Sequence, residues 1–507
     1  MKVGFCRNCA RTNSKLTVVA AVSGFLLSVC FVAGGCTVGP AYVRPSLPVP
    51  APDAYKEAGD WQPAQPGDAA PRGKWWEVFQ DRKLNELEDN VDVSNQNLKA
   101  AEAQYAQARA AVRFYRSGYF PVVAAQPSAE RQRQSQNKAL FSSTEATTYN
   151  DYLLPIDVSY EPDVWGQVRR QVESARAQAQ ASAADLATVN LSLHAELAMD
   201  YFQLRGLDAQ KQLLDNTVEA FQKTLQLTQD RFKGGLASAV DVAQAQTQLE
   251  TTRAQAIDVE VQRAAYEHAV AVLTGQPPSS FSLAPSPLSV PPPVIPPGVP
   301  SQLLERRPDI AAAERQMDSA NAQIGVAKTA YYPAITLSGG GGFETASIGT
   351  LLSGPSALWA IGASAFGTIF EGGRRHAVTA EAQAAYQQTV ANYRQTVLTA
   401  FQDVEDNLAA QRILTQEAAT QDGAVAAAGH SLDLSLNRYK GGVTSYLEVT
   451  TAQSLALTDE RTAADILTRR MVASVLLIKA LGGGWTTAGL PALTARTGNK
   501  IPQRASH

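Results

Sequence analysis

Between Leu154 and Glu161 the chain alternates. Leu154, Ile156, Val158 and Tyr160 are apolar or aromatic, and Pro155, Asp157, Ser159 and Glu161 stand between them. A period of two predicts a strand with one apolar and one polar face. Trp359, Ile361, Ala363 and Ala365 alternate more weakly with Ala360, Gly362, Ser364 and Phe366, as Ile335 and Leu337 do with Thr336 and Ser338. The run Gly339 to Gly342 follows and predicts a loop or strand tip. No Gly-Lys-Ser/Thr comes after it, so it is not a phosphate loop. Elsewhere the period lengthens. Leu214, Val218, Phe221, Leu225, Thr228 and Phe232 recur at coiled-coil spacing, and so do Val425, Ala428, Leu432, Ser435 and Tyr439. The first series lies in a predicted helix over 168–232, about 98 Å long at ~1.5 Å per residue. A helix of that length needs a bundle around it.

These elements occur twice. NLKAAEAQYAQARAAVRFYRSGYFP (97–121) parallels DIAAAERQMDSANAQIGVAKTAYYP (309–333), and RFKGGLASAVDVAQAQ (231–246) parallels RYKGGVTSYLEVTTAQ (438–453). Arg169 and Arg170 match Arg374 and Arg375 between those markers. Three markers in one order imply a duplicated unit of about two hundred residues. The first copy, 82–284, comprises a helix over 82–117, two strands within 119–162, the helix 168–232 and a return helix over 237–274. The second, 306–484, comprises a helix over 306–330, two strands within 332–370, a long helix over 374–439 and a return helix over 445–481. Proline ends the first helix of each copy, and a Lys-Gly-Gly turn ends the long one. Residues 36–81 precede the repeats, Pro-rich 285–305 joins them, and 485–507 form a tail.

The N-terminus fixes a compartment. Lys2, Arg7, Arg11 and Lys15 precede an apolar stretch from Leu16 to Ala33, and then come Gly34, Gly35 and Cys36. This predicts a lipoprotein signal over 1–35, with Cys36 as the acylated first residue of the mature chain. The remaining cysteines, Cys6, Cys9 and Cys30, fall within that signal, so no disulfide is expected. Removing four positive charges and no negative ones takes the formal net charge from −3 to −7, which argues against nucleic acid. No apolar run beyond Ala33 is long enough to span a bilayer as a helix. A mature chain that crosses a membrane must therefore do so as a closed barrel. Four strands cannot close one, because membrane barrels need at least about eight. Oligomerisation supplies the rest: two chains give eight strands and three give twelve.

Several motifs then fall together. They are Gly35-Cys36-Thr37-Val38-Gly39-Pro40 with Tyr42, Lys74-Trp75-Trp76 through Phe79, PSQLLERRPDIAAAE (300–314), Tyr332-Pro333, Phe370-Glu371-Gly372-Gly373-Arg374 and the two R-[FY]-K-G-G turns. The chain resembles the outer-membrane factor family of TolC and OprM, in its NodT-like lipoprotein branch. The resemblance implies an α+β membrane protein of the channel-tunnel type. Such a protein is a homotrimer whose 12-stranded β-barrel continues into a long α-helical periplasmic barrel. It also implies a passive exit duct in a Gram-negative outer membrane, partnered by a periplasmic adaptor and an inner-membrane transporter of the resistance-nodulation-division (RND) type. A type I secretion duct and a periplasmic adaptor lipoprotein are the alternatives.

Neither catalysis nor a cofactor is expected. His194, His268, His376, His430 and His507 are scattered, with no metal-ligand spacing. The candidate sites lie at the turns. Arg231, Lys233, Gly234, Gly235 and Ser238, with Arg438, Lys440, Gly441, Gly442 and Ser445, would be tips that dock the adaptor, where glycine permits close backbone approach. By resemblance, Leu447, Glu448 and Thr451 would line the periplasmic gate. Glu448 stands where TolC has a gate aspartate, and Thr451 where both TolC and OprM have one. Arg169, Arg170, Arg374 and Arg375 are read as anchors near the membrane interface.

Overall fold

A computed structural model describes residues 37–46, 52, 54–58, 73–137, 148–296 and 303–490. Cys36, the rest of the predicted signal and most of the C-terminal tail lie outside the described residues. The helices are α1 (Arg82–Ser94), α2 (Gln96–Ser117), α3 (Gln167–Lys233), α4 (Ala239–Leu273), α5 (Leu303–Arg306), α6 (Pro308–Thr329), α7 (Arg374–Lys440) and α8 (Tyr446–Ala480). The strands are β1 (Val122–Ala125), β2 (Ser128–Arg133), β3 (Thr148–Tyr160), β4 (Ala334–Thr345) and β5 (Ala357–Phe366). The duplication is plain in the lengths: α3 and α7 have 67 residues each, α4 and α8 have 35, and α2 and α6 have 22.

The first helix of each copy is broken, where the sequence suggested one continuous rod over 82–117 in the first copy and a helix beginning only at 306 in the second. Asn95 leaves the helix (φ −63°, ψ 127°), and its Oδ1 caps α2 by accepting from the backbone N–H of Asn97 and Leu98. Arg307 occupies the same place in the second copy because Pro308 follows it and disfavours helix for its neighbour. Both break residues reach the end of a return helix. Asn95 Nδ2 donates to the Leu273 carbonyl at 2.9 Å, and Arg307 Nη1 to the Ala480 carbonyl at 3.3 Å. The glycines there, Gly275 (φ 72°) and Gly482 (φ 89°), turn the chain left-handed. Added Cβ atoms would strike Ser94 and Arg306 respectively.

The chain divides into two compact units. One holds most of the helical residues. Its core gathers Trp75, Trp76, Leu84, Leu87, Leu197, Phe202, Leu303 and Leu477. The two tryptophans meet edge to face at 5.7 Å, and Phe79 packs on Phe202 at 4.9 Å. Asp81 caps α1 and accepts from the Tyr201 hydroxyl at 2.6 Å. The Trp-Trp and LLERRPD motifs are thus core and clamp: Leu303 is buried, and Arg307 also pairs with Asp309 and Asp403. Residues 283–288 are docked too. Arg205 donates to the Ala284 carbonyl, Arg263 to that of Leu283, and Asp208 accepts from the Ser286 N–H.

The other unit holds the sheet. All pairings are antiparallel, in the order β1–β3–β4–β5, with β2 also on β3. β1 and β2 are one arm interrupted at Gln126-Pro127, since proline cannot donate to the ladder. The sheet therefore has four arms and five strands. The glycine run is not a tip but the middle of β4, where Gly339 to Gly342 oppose Val158 to Pro155. The cause is close packing. A Cβ on Gly342 would run into the Leu154 carbonyl, and one on Gly340 would lie 2.7 Å from the Asp157 carboxylate.

The register carries the alternation across strands. Ile156 pairs with Gly341 and Gly341 with Trp359, while Val158 pairs with Gly339 and Gly339 with Ile361. Trp359 (77% exposed) and Ile361 (83%) lie on this apolar face. Asp157, Ser159, Thr336, Ser338 and Ser364 share the opposite one. So wide an exposed apolar row belongs against lipid. Ile361→Arg should cost roughly 2–4 kcal/mol and collapse the yield of membrane-inserted protein, whereas Ser364→Arg, on the polar face, should insert normally. Quantifying both variants in washed outer membranes checks the assignment, and equal yields would mean that the facing is wrong.

Candidate functional site

The two hairpin turns lie in the helical unit and are built alike. At the first, Gly235 (φ 75°) donates to the Phe232 carbonyl and Leu236 to that of Arg231. At the second, Gly442 (φ 73°) donates to Tyr439 and Val443 to Arg438. Each is a helix stop of the Schellman type, which needs a left-handed residue after the last turn. Leu236 (71% exposed) and Val443 (72%) project beyond the turns, and Val240 and Leu447 are exposed one turn into the return helices.

The turns then diverge. Ser238 and Asp241 form a capping box at the start of α4: the Ser238 hydroxyl accepts from the Asp241 N–H, and the Asp241 carboxylate from the Ser238 N–H. Ser445 makes no such cap. Glu448, the counterpart of Asp241, instead pairs with Arg438 at 3.2 Å and accepts from the Thr444 hydroxyl. Arg231, the counterpart of Arg438, crosses to the second copy. Its Nη1 donates to the Lys440 carbonyl at 2.9 Å, and its guanidinium lies 4.9 Å above the Tyr439 ring. A cation at those last carbonyls also suits the helix dipole. Tyr439 meets Tyr446 edge to face at 5.4 Å, within a small core that includes Ala245 and Val449.

Of the residues singled out from the sequence, the fold therefore joins Arg231, Lys440 and Gly442 at one place and Arg438 and Glu448 at another. Lys233 is exposed beside Asp230 (3.6 Å). Gly234, Gly235, Ser238, Gly441 and Ser445 form the exposed rims. Leu447 is 58% exposed, and the Thr451 hydroxyl donates to its carbonyl. Phe232 departs from the buried heptad series and is half exposed. The arginine pairs at the strand-to-helix junctions are not uniformly interfacial. Arg170 is buried and Arg169 is paired with Asp163, while Arg375 pairs with Glu371 and lies 5.6 Å above Tyr331. Lipid headgroups reach exposed cations, and Arg170 is not one.

Sequence reasoning missed a buried polar cluster in the helical unit. His194 Nδ1 lies 2.6 Å from Glu88 and Nε2 3.2 Å from Asp92, and the ring stacks on Trp76 at 4.3 Å. The second copy has Phe401 where α3 has His194, so the polar group is peculiar to the first. No group of three metal-ligating side chains with suitable geometry occurs among the described residues.

Both halves of the chain match the sequence profile of the outer membrane efflux protein family, over residues 88–276 and 299–483. The chain belongs to that family: it is an outer-membrane efflux channel of the TolC-like fold. Among its relatives is the pyoverdine export outer membrane protein OpmQ of Pseudomonas aeruginosa, 31% identical over 91% of this chain and 96% of that one. The toluene efflux pump outer membrane protein TtgC of Pseudomonas putida is 30% identical over 91% and 95%. Among solved structures, the outer-membrane channel OprN superposes with a TM-score of 0.82 at 29% identity, over 89% of this chain and all of that one. The open state of the Neisseria gonorrhoeae MtrE channel gives 0.76 at 26% identity, over 89% and 99%.

Glu88 and His194 predict a pH dependence. Burial pushes the Glu88 carboxyl up to about 7, partly offset by His194. Burial opposes the His194 cation, but hydrogen bonds and charge from Glu88 and Asp92 outweigh it and raise its pKa. With both folded-state values above the unfolded ones, the folded state holds protons more tightly. The contribution is complete at pH 4 and is lost as pH rises through neutrality. The melting temperature should therefore fall as pH rises from 4.5 to 7, the span of the Glu88 shift, and fall further above 6.5 as His194 gives up its proton. The double variant Glu88→Leu/His194→Phe, with an apolar group as in the second copy, should flatten that fall. Thermal unfolding across the range measures it, and an unchanged slope in the variant would contradict the assignment.

Proposed function

We propose that three copies of this chain form the exit duct of a tripartite efflux pump. The two tips receive the hairpins of a periplasmic adaptor, and an inner-membrane transporter of the RND type supplies the energy. The observation that carries the docking is the pair of matched turns, each ending a 67-residue helix in a left-handed glycine and presenting an exposed apolar residue beyond it. Glycine lets a partner's backbone approach closely, and Leu236, Val240 and Val443 give it apolar surface to bury. OpmQ and TtgC are named for export and efflux, which favours a pump over a secretion duct or an adaptor. Acylation of Cys36 anchors the chain to the outer membrane.

The gate follows from the second turn. Three-fold symmetry makes each of Leu447, Glu448 and Thr451 a ring of three. Leucines close a mouth by packing and dewetting, and acids by attracting cations. Arg438 answers the Glu448 charge within the same chain, so leucine is the stronger barrier.

Two variants separate docking from gating. Gly442→Trp should leave oligomers in the membrane at normal level yet abolish the drug resistance that the channel supports. Leu447→Ala should raise resting conductance in planar bilayers without loss of resistance. Unchanged resistance in the first would remove the turn from the docking surface, and unchanged conductance in the second would move the constriction elsewhere.

A further inference from the structure

Residues 37–40, directly after Cys36, belong to the sheet unit and are held there by a set of groups built for the purpose. The Val38 N–H donates to the Trp165 carbonyl at 3.2 Å. Arg170 Nε donates to the Val38 carbonyl at 3.1 Å, and its Nη2 to the Gly39 carbonyl at 3.2 Å. Asn321 Nδ2 donates to the Pro40 carbonyl at 3.1 Å. The Arg170 side chain is only 7% exposed, and its remaining nitrogen pairs with Glu173 at 2.8 Å. Glycines make the fit possible. Gly39 sits at φ 108°, where an added Cβ would lie 2.5 Å from Gly325 Cα. A Cβ on Gly325 would lie 2.9 Å from the Arg170 side chain, and one on Gly166 3.2 Å from Thr37.

A slack tether would leave its carbonyls to water. These carbonyls are instead the partners of a buried guanidinium, a group that is costly to bury without acceptors. Segment and arginine therefore depend on each other. The contacts also span the duplication, since Trp165 lies just before α3, Arg170 in its first turn, and Asn321 and Gly325 in α6 of the second copy. The neighbourhood is aromatic. Trp165 stacks on Tyr332 at 4.8 Å and donates to the Pro333 carbonyl, the composition of a barrel's interfacial girdle.

We propose that Arg170, Gly39 and Gly325 form a socket that makes the acylated N-terminus a rigid mount, stapling α3 to α6 at the base of the sheet. The anchoring part rests on the reading of Cys36 as the acylated residue. Two peptide bonds separate Cys36 from Val38, the first residue held by a backbone hydrogen bond, so a lipid attached at Cys36 is at most roughly 7.6 Å of chain from the socket. Arg170 is a positioning residue. It touches neither lipid nor cargo and acts through the backbone of residues 38 and 39.

A double-mutant cycle tests this on the purified oligomer. Arg170→Met and Gly39→Ala should each lower its melting temperature by several degrees. The double variant should lose no more than the worse single one, because both break the same contact. Arg170→Lys, which retains the charge on a single donor nitrogen in place of the guanidinium fork, should recover part of the loss. Asn321→Ala removes a single bond and provides a milder second arm should Arg170→Met fail to fold. The same coupling should persist in Cys36→Ser, since the socket grips backbone and not lipid. Additive losses, unaltered melting, or coupling that disappears in Cys36→Ser would each overturn the socket. Intact mass reports acylation separately. A wild-type chain without acyl mass would refute the anchor while leaving the thermal cycle to judge the socket.

Discussion

Four arms of antiparallel sheet with two open edges are the constraint on which the rest of the structure depends. Among the described residues, β1 and β2 bond only to β3, and β5 only to β4, so each flank presents unpaired N–H and C=O groups. One face of the same sheet is an exposed apolar row. Lipid tolerates that face but not the edges, because an unsatisfied backbone group in hydrocarbon costs several kcal/mol. The only closure open to this chain is pairing with further copies of itself, and the helical residues and tips are then repeated around the same axis. Stability and a passage both follow from that one requirement.

Duplication supplied the parts, and divergence specialised them. Asn95 and Arg307 do one job, tying a helix break to the end of a return helix, with different chemistry. Gly275 and Gly482 do another by the same means. At the turns the counterparts separate: Asp241 caps its own helix, while Glu448 neutralises Arg438. Arg231 spans the copies to reach Lys440. The first copy also carries a buried histidine and carboxylate, His194 and Glu88, where the second has Phe401 in place of the histidine.

Much of this fold is legible in the amino-acid sequence. The ends of the long and return helices lie within two residues of the positions expected from sequence, because the glycines after them and the Ser238 cap act locally. The apolar row on β3 is legible because period-two alternation needs no partner to be recognised. The glycine run reads as a tip but is a strand, and the reason is not local: only the register with Leu154 and Asp157 shows why side chains are excluded there. The break at Asn95 is hidden by good helix formers on both sides, although Pro308 signals the equivalent break in the second copy. Arg170 has the look of an interfacial cation, since nothing in its neighbours along the chain reveals that residues 37–40 return to cover it. The turn residues stand out as two matched groups, but the link from Arg231 to Lys440 joins positions more than two hundred residues apart and leaves no local trace.

The number of chains decides the account. Eight arms, from two copies, would make a barrel that side chains fill, and twelve, from three, leave a water-filled passage. Native mass spectrometry of the detergent-extracted protein counts them directly. Three chains per particle is the result this account predicts. A stable monomer or dimer would contradict it, because the sheet edges would then be left unpaired or the passage closed.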